Sequence, residues 1–190
     1  MLVFRRRGLQ EATEKELARA LSLSPQELSE RYPQRAELVH AAVMADLARQ
    51  RREHLALYAQ YPNAVERLYS LLQYAMRDLA DTSPRFYADL QQHYDKAWEA
   101  TMDHLDSYSA PQLQQLLNDG IRDKLFRSDI NIRLVTKILL EQVTMTLNPM
   151  AFPPEQFNIG EVFRSVFLYY VRGICTEEGA RLAANHFSKL

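Results

Sequence analysis

The stretch "LARALSLSPQELSERYPQRAELV", residues 17–39, decides the fold. Just before it, Thr13-Glu14-Lys15-Glu16 has the form of a capping box: the threonine can take the amide three residues on, and the glutamate can reach back. Ser24-Pro25-Gln26-Glu27 repeats that form, with proline at the first helical position, where its missing N–H costs nothing. Helices are therefore predicted to start near residues 14 and 25, with a tight turn at Leu21-Ser22-Leu23-Ser24 between them. Leu17, Leu21, Leu23, Leu28 and Tyr32 supply a small shared core. Two helices so joined fit a helix-turn-helix, whose second helix enters the major groove of DNA. The same spacing also fits an ordinary helical hairpin.

On the nucleic-acid reading, Pro25, Gln26, Glu27, Ser29, Glu30 and Arg31 face outward. Gln26 can pair with adenine, and Ser29 with several base edges. Arg31 and Arg35 can meet phosphate, as can Arg5, Arg6 and Arg7, the densest basic run in the chain. Residues 1 to 35 carry seven basic and five acidic side chains, a weak electrostatic footprint. Glu27 is explained by its place in the capping box. Glu30 is not, and a phosphate backbone would repel it. Binding is expected to be phosphate-heavy, salt-sensitive and weak in sequence discrimination.

Beyond this head the apolar spacing stays helical, and no stretch alternates as a strand. A long helix is predicted over about 35–58, broken at Tyr61-Pro62-Asn63, and another over about 64–80. Ser83-Pro84 opens the next. Two more run over about 130–147 and 157–174, joined by "NPMAFPPEQF", and a short one follows Thr176. The fold class is all-α: a head at 1–39 and a larger helical body at 40–190. With 190 residues, 47% of them hydrophobic, the chain can bury a core without staples. Its net charge of −1 excludes a generally basic coat but not a local patch. A single cysteine, Cys175, excludes an internal disulfide. No apolar run approaches the roughly 20 residues of a membrane helix, and no secretory leader is evident, so a cytoplasmic protein without membrane contact is expected.

Catalytic and metal sites find little support. No two of the five histidines stand three or four residues apart on one helix. His93 beside Asp95, and His104 between Asp103 and Asp106, are the neighbours that charged helix faces produce. No enzyme activity, cofactor or metal is expected.

Residues 3 to 39 resemble the DNA-binding head of the TetR family of bacterial transcriptional regulators. The match runs without a gap through Val3-Phe4, Gly8, Thr13, Leu17-Ala18, Ser22-Leu23-Ser24, Leu28, Tyr32, Arg35 and Glu37-Leu38. "PRFYADLQQHYDKAW", "GIRDKLFRSDIN" and "NPMAFPPEQF" are similar to the effector domain of TetR-like proteins of the Bacteroidetes type. There are departures. The family usually has glycine at Ser22, threonine at Glu27, and a phosphate-touching tyrosine at Ser29. Its first helix also begins about ten residues earlier, whereas Met1 leaves room here for about 10 Å of helix before Gly8. Either the start lies upstream, or the head is reduced and less well covered.

The resemblance implies a dimer binding a near-palindromic operator, with Arg5, Arg6, Arg7, Thr13, Gln26, Ser29, Arg31 and Arg35 at the DNA. It also implies a small apolar or amphipathic effector in a pocket drawn from Tyr69, Leu72, Met76, Phe86, Leu90, Tyr94, Trp98, Met102 and Leu105. The alternative is a TetR-like ligand- or protein-binding module whose head has lost specific DNA binding. The last two long helices are apolar around most of their circumference and need cover on more than one side. Two such helices from each of two chains would make a four-helix interface. Leu139, Val143, Phe163, Phe167 and Tyr170 are its candidates. Central helices of a monomer would carry the same pattern.

Overall fold

The computed structural model describes residues 1–80, 82–83, 85–146, 148, 150–153 and 156–187; Pro84 and Leu147 lie outside the described residues. Among the described residues eleven α-helices run in order: α1 Leu2–Arg7, α2 Glu14–Ala20, α3 Pro25–Arg31, α4 Arg35–Gln60, α5 Ala64–Ala80, α6 Phe86–His93, α7 Asp95–His104, α8 Ala110–Arg122, α9 Ile132–Thr146, α10 Ile159–Ile174 and α11 Glu177–Phe187. A π-helical turn, Leu105–Ser109, precedes α8. Among the described residues the sole β feature is an isolated antiparallel bridge between Phe126 and Cys175.

The chain forms two compact units. The first is residues 1–50 with 81–104; the second is 51–80 with 105–190. The expected boundary after residue 39 thus falls inside the first unit. The reason lies in the core. Phe4, Leu9, Ala12, Leu17, Leu28, Leu38, Val39 and Val43 are buried together with Phe86, Leu90, Tyr94 and Ala97. The side chains of α6 and α7 therefore complete the core of the head. α1, six residues long, contributes Phe4 to this core.

In the second unit, Val65, Leu68 and Leu72 of α5 pack with Leu113, Leu116 and Leu117 of α8, Leu139 of α9, and Phe163, Phe167 and Val171 of α10. The loop after α8 closes on the α10–α11 corner. Arg127 N donates to Ile174 O at 2.9 Å, and Thr176 N to Leu125 O at 3.0 Å. A methyl group at Gly179 would stand 1.9 Å from the Leu125 carbonyl oxygen, so only glycine allows this approach. Burial pushes the Cys175 thiol up to about 11, which leaves it protonated and apolar in behaviour.

Candidate nucleic-acid interface

The turn between α2 and α3 follows from four residues. Thr13 caps α2: its Oγ1 accepts from Glu16 N at 3.3 Å, and its own N donates to Glu16 Oε2 at 3.0 Å. At the other end of α2, Ser22 N donates to Arg19 O at 3.2 Å and Leu23 N to Ala18 O at 2.9 Å. This is a Schellman closure, and it puts Ser22 in the left-handed region at φ 58°. Ser24 then caps α3, accepting from Glu27 N at 3.2 Å while its N donates to Glu27 Oε2 at 2.7 Å. Those hydrogen bonds from Ser24 hold the Glu27 carboxyl below its ordinary range. Its charge therefore belongs to the helix end, where the backbone dipole favours it.

Leu28 is the buried residue of α3, and Pro25, Gln26, Glu27, Ser29, Glu30 and Arg31 are exposed, the outward set expected. Gln26 Nε2 donates to Glu30 Oε1 at 3.0 Å. Arg31 lies over the Tyr32 ring, 5.8 Å from its centroid.

The basic residues divide sharply. Arg5, expected at phosphate, is 5% exposed and its guanidinium meets Asp46 Oδ2 at 2.7 Å. Arg49 adds a bond to Asp46 Oδ1 at 2.8 Å, and Gln50 donates to Oδ2 at 3.2 Å. Burial opposes ionisation of Asp46, but Arg5 and Arg49 outweigh it and hold the carboxyl below its ordinary range. Arg35, also expected at phosphate, points inward. It donates to Leu9 O at 2.7 Å and Ala12 O at 2.6 Å, with its guanidinium 5.6 Å from the Phe4 centroid. It ties the α1–α2 loop to the start of α4. Arg7 is exposed and paired with Glu16 at 3.0 Å, and Thr13 spends its hydroxyl on Glu16. Arg6 is exposed, as are Lys15 and Arg19. No sequence signal separates Arg5 from Arg6; only the position of Asp46, 41 residues on, does.

The nine expected pocket residues are divided between the two units. Phe86, Leu90 and Tyr94 are buried in the core of the first unit and Trp98 packs against it, with Met102 on the same α7. Tyr69, Leu72, Met76 and Leu105 belong to the second unit, where Leu72 is buried in the core and Met76 packs against it. Of the five expected interface residues, Leu139, Phe163 and Phe167 are instead buried in the chain's own core, Phe167 to 2% exposure. Val143 and Tyr170 are half-buried, and the Tyr170 hydroxyl donates to Val135 O. The exposed apolar residues of these helices are others: Leu134, Ile138 and Met145 on α9, and Tyr169 on α10.

No family model matches the chain, and no curated protein sequence matches it either. Solved structures do. CprB, a TetR family protein from Streptomyces coelicolor in complex with its biological operator sequence, is 19% identical, with a TM-score of 0.67 over 98% of this chain and 90% of that one. A protein described as a transcriptional regulator from Saccharomonospora viridis, in complex with choline, is 14% identical, with a TM-score of 0.71 over 92% of this chain and 93% of that one. The regulator FadR from Bacillus subtilis, in complex with stearoyl-CoA, is 13% identical, with a TM-score of 0.63 over 90% and 94%. Identities this low speak for architecture, and the architecture is shared along nearly the whole length. The chain has the fold of the TetR-family transcriptional regulators.

Proposed function

We propose that the chain is a ligand-responsive transcriptional regulator of the TetR family, binding a near-palindromic operator as a homodimer through α2 and α3. The observation that carries this is α3 itself: a doubly capped turn fixes it on α2 with its outer face open to solvent. CprB, whose fold the chain shares, is known in complex with its operator sequence, which supports this reading. Ser29 and Gln26 are the base-facing candidates. Arg6 and Arg31, with Lys15 and Arg19, are the candidates for phosphate. The effector is a small apolar or amphipathic molecule; of the ligands held by similar folds, stearoyl-CoA is amphipathic, whereas choline is a polar cation. Its candidate contacts in the second unit are Tyr69, Leu72, Met76 and Leu105.

The dimer face runs along one side of each of two helices. Leu134, Ile138 and Met145 share a stripe of α9, and Val162, Val166 and Tyr169 share one of α10, next to the buried stripe of Phe163 and Phe167. No helix of the described residues is long and apolar enough to cross a membrane, and a cytoplasmic, non-enzymatic role fits this reading.

Fluorescence anisotropy with labelled duplexes from the flanks of its own gene tests the proposal. One duplex should bind saturably and be released by the molecule that co-purifies with the protein. The second reading, a module that no longer binds DNA, is favoured by one observation: two of the expected phosphate contacts, Arg5 and Arg35, are consumed inside the head. It becomes the better reading if no duplex binds at low salt while a co-purified ligand persists.

A further inference from the structure

The residues that matter for recognition on α3 are set by the helix itself. Leu28 faces the core. Gln26 and Glu30 each lie two residues from it, about 200° around the axis, so they flank the line opposite Leu28 at about 20° on either side. Whatever α3 meets, these two side chains meet first. They are one turn apart and bonded to each other, Gln26 Nε2 to Glu30 Oε1 at 3.0 Å. The direction of that bond is fixed by chemistry, because an ionised carboxylate only accepts.

The bond changes what the pair can read. Gln26 alone offers donors and an acceptor in balance. Tied to Glu30, it keeps one N–H, while the two side chains together retain roughly five acceptor lone pairs. The outermost surface of α3 is therefore rich in acceptors and carries a negative charge. In the major groove the donors available to it are the amino groups of adenine and cytosine, whereas thymine and guanine present oxygen or nitrogen acceptors. Every base pair has one amino-bearing base and one keto base. An acceptor-rich reader thus distinguishes which strand carries which, rather than A·T from G·C.

We propose that Gln26 and Glu30 act as one acceptor-rich reading unit, selecting adenine or cytosine on the strand beneath α3 and rejecting thymine and guanine there. This rests on the DNA-binding reading above. The two side chains stand about 6 Å apart along the helix, so the effect covers one or two adjacent base pairs in each half-site.

Selection from a pool of randomised duplexes tests it, with wild type, Glu30→Gln and Glu30→Lys run in parallel and folding checked by circular dichroism. Wild type should prefer amino over keto bases at one or two positions by about fivefold or more. Glu30→Gln, which can both donate and accept, should flatten that ratio. Glu30→Lys, a donor only, should reverse it toward guanine or thymine. Preference is read as a ratio between duplexes, so any general gain from the added positive charge cancels. A wild-type protein without amino/keto bias, or a bias that survives Glu30→Lys, overturns the proposal. A wild-type protein that enriches no duplex at all overturns the DNA-binding reading, and this inference with it.

Discussion

Two arginines in the head are spent on holding it together. Asp46 sits between Arg5 and Arg49 in a nearly dry site, and its carboxyl is held below the ordinary range. A depressed carboxylate contributes stability that is full above its unfolded value and is lost as pH falls through the folded one. The first unit should therefore hold until pH drops below about 4, and loosen below that. Trp98, the single tryptophan, packs against this core and reports on it by fluorescence. Asp46→Asn should remove the acid transition's dependence on this site. It should also cost about 3–5 kcal/mol at neutral pH, because Arg5 would be left charged and buried without its counter-ion. Arg35→Ala removes a charged donor from the carbonyls of Leu9 and Ala12. It is expected to lower the urea midpoint of the Trp98 transition by about 1–3 kcal/mol of stability. DNA affinity should fall on every sequence alike as the head loosens, even though this side chain is turned away from the surface.

At the scale of the element, caps were the most legible feature. Thr13 with Glu16 and Ser24 with Glu27 fix both head helices to the residue, because the signal is local and chemical. Ser22, where the resemblance has glycine, proves to have a left-handed backbone, which the sequence reading did not draw from that departure. Ser22→Gly should raise thermal stability by up to about 1 kcal/mol, since an L side chain is disfavoured there and glycine is not. Ser24→Ala should lose about 1 kcal/mol by leaving Glu27 N without its cap. Which arc of an apolar helix meets its own core was not legible. On α10, Phe163 and Phe167 differ from Val162 and Val166 by one residue, or about 100° of rotation. Hydrophobicity does not tell the two stripes apart; packing does. The candidate pocket residues were illegible for a related reason. Aromatic and methionine side chains look alike in a head core and in a ligand cavity, and Phe86, Leu90 and Tyr94 went to the head. The inward turn of Arg5 and Arg35 left no trace in composition, where both counted as surface charge.

For the molecule as a whole, the exposed stripe of α9 and the buried stripe of α10 make opposite forecasts. Ile138→Glu, at a residue 41% exposed on α9, should give a folded monomer in sedimentation at micromolar concentration. Phe167→Glu should unfold the second unit instead, because an unpaired carboxylate would enter the core. If both variants sediment as folded dimers, the face lies elsewhere. The clasp of the second unit has a further consequence, in the order of events on the ribosome. Among the described residues, the core of the first unit draws on nothing beyond Trp98. The core of the second begins at Ala64 but includes Ala183, and the Leu125 carbonyl is met by Thr176, 51 residues further on. Domains form as units during synthesis, N-terminal first. The first unit can therefore close while the chain is still growing. The nascent α5 can meet α8 early, but the cover of Val65, Leu68 and Leu72 is not complete until α10 and α11 follow, more than a hundred residues on. At about 5–20 residues per second, that is a window of several seconds to some twenty seconds in which this chain needs a chaperone more than at any later time.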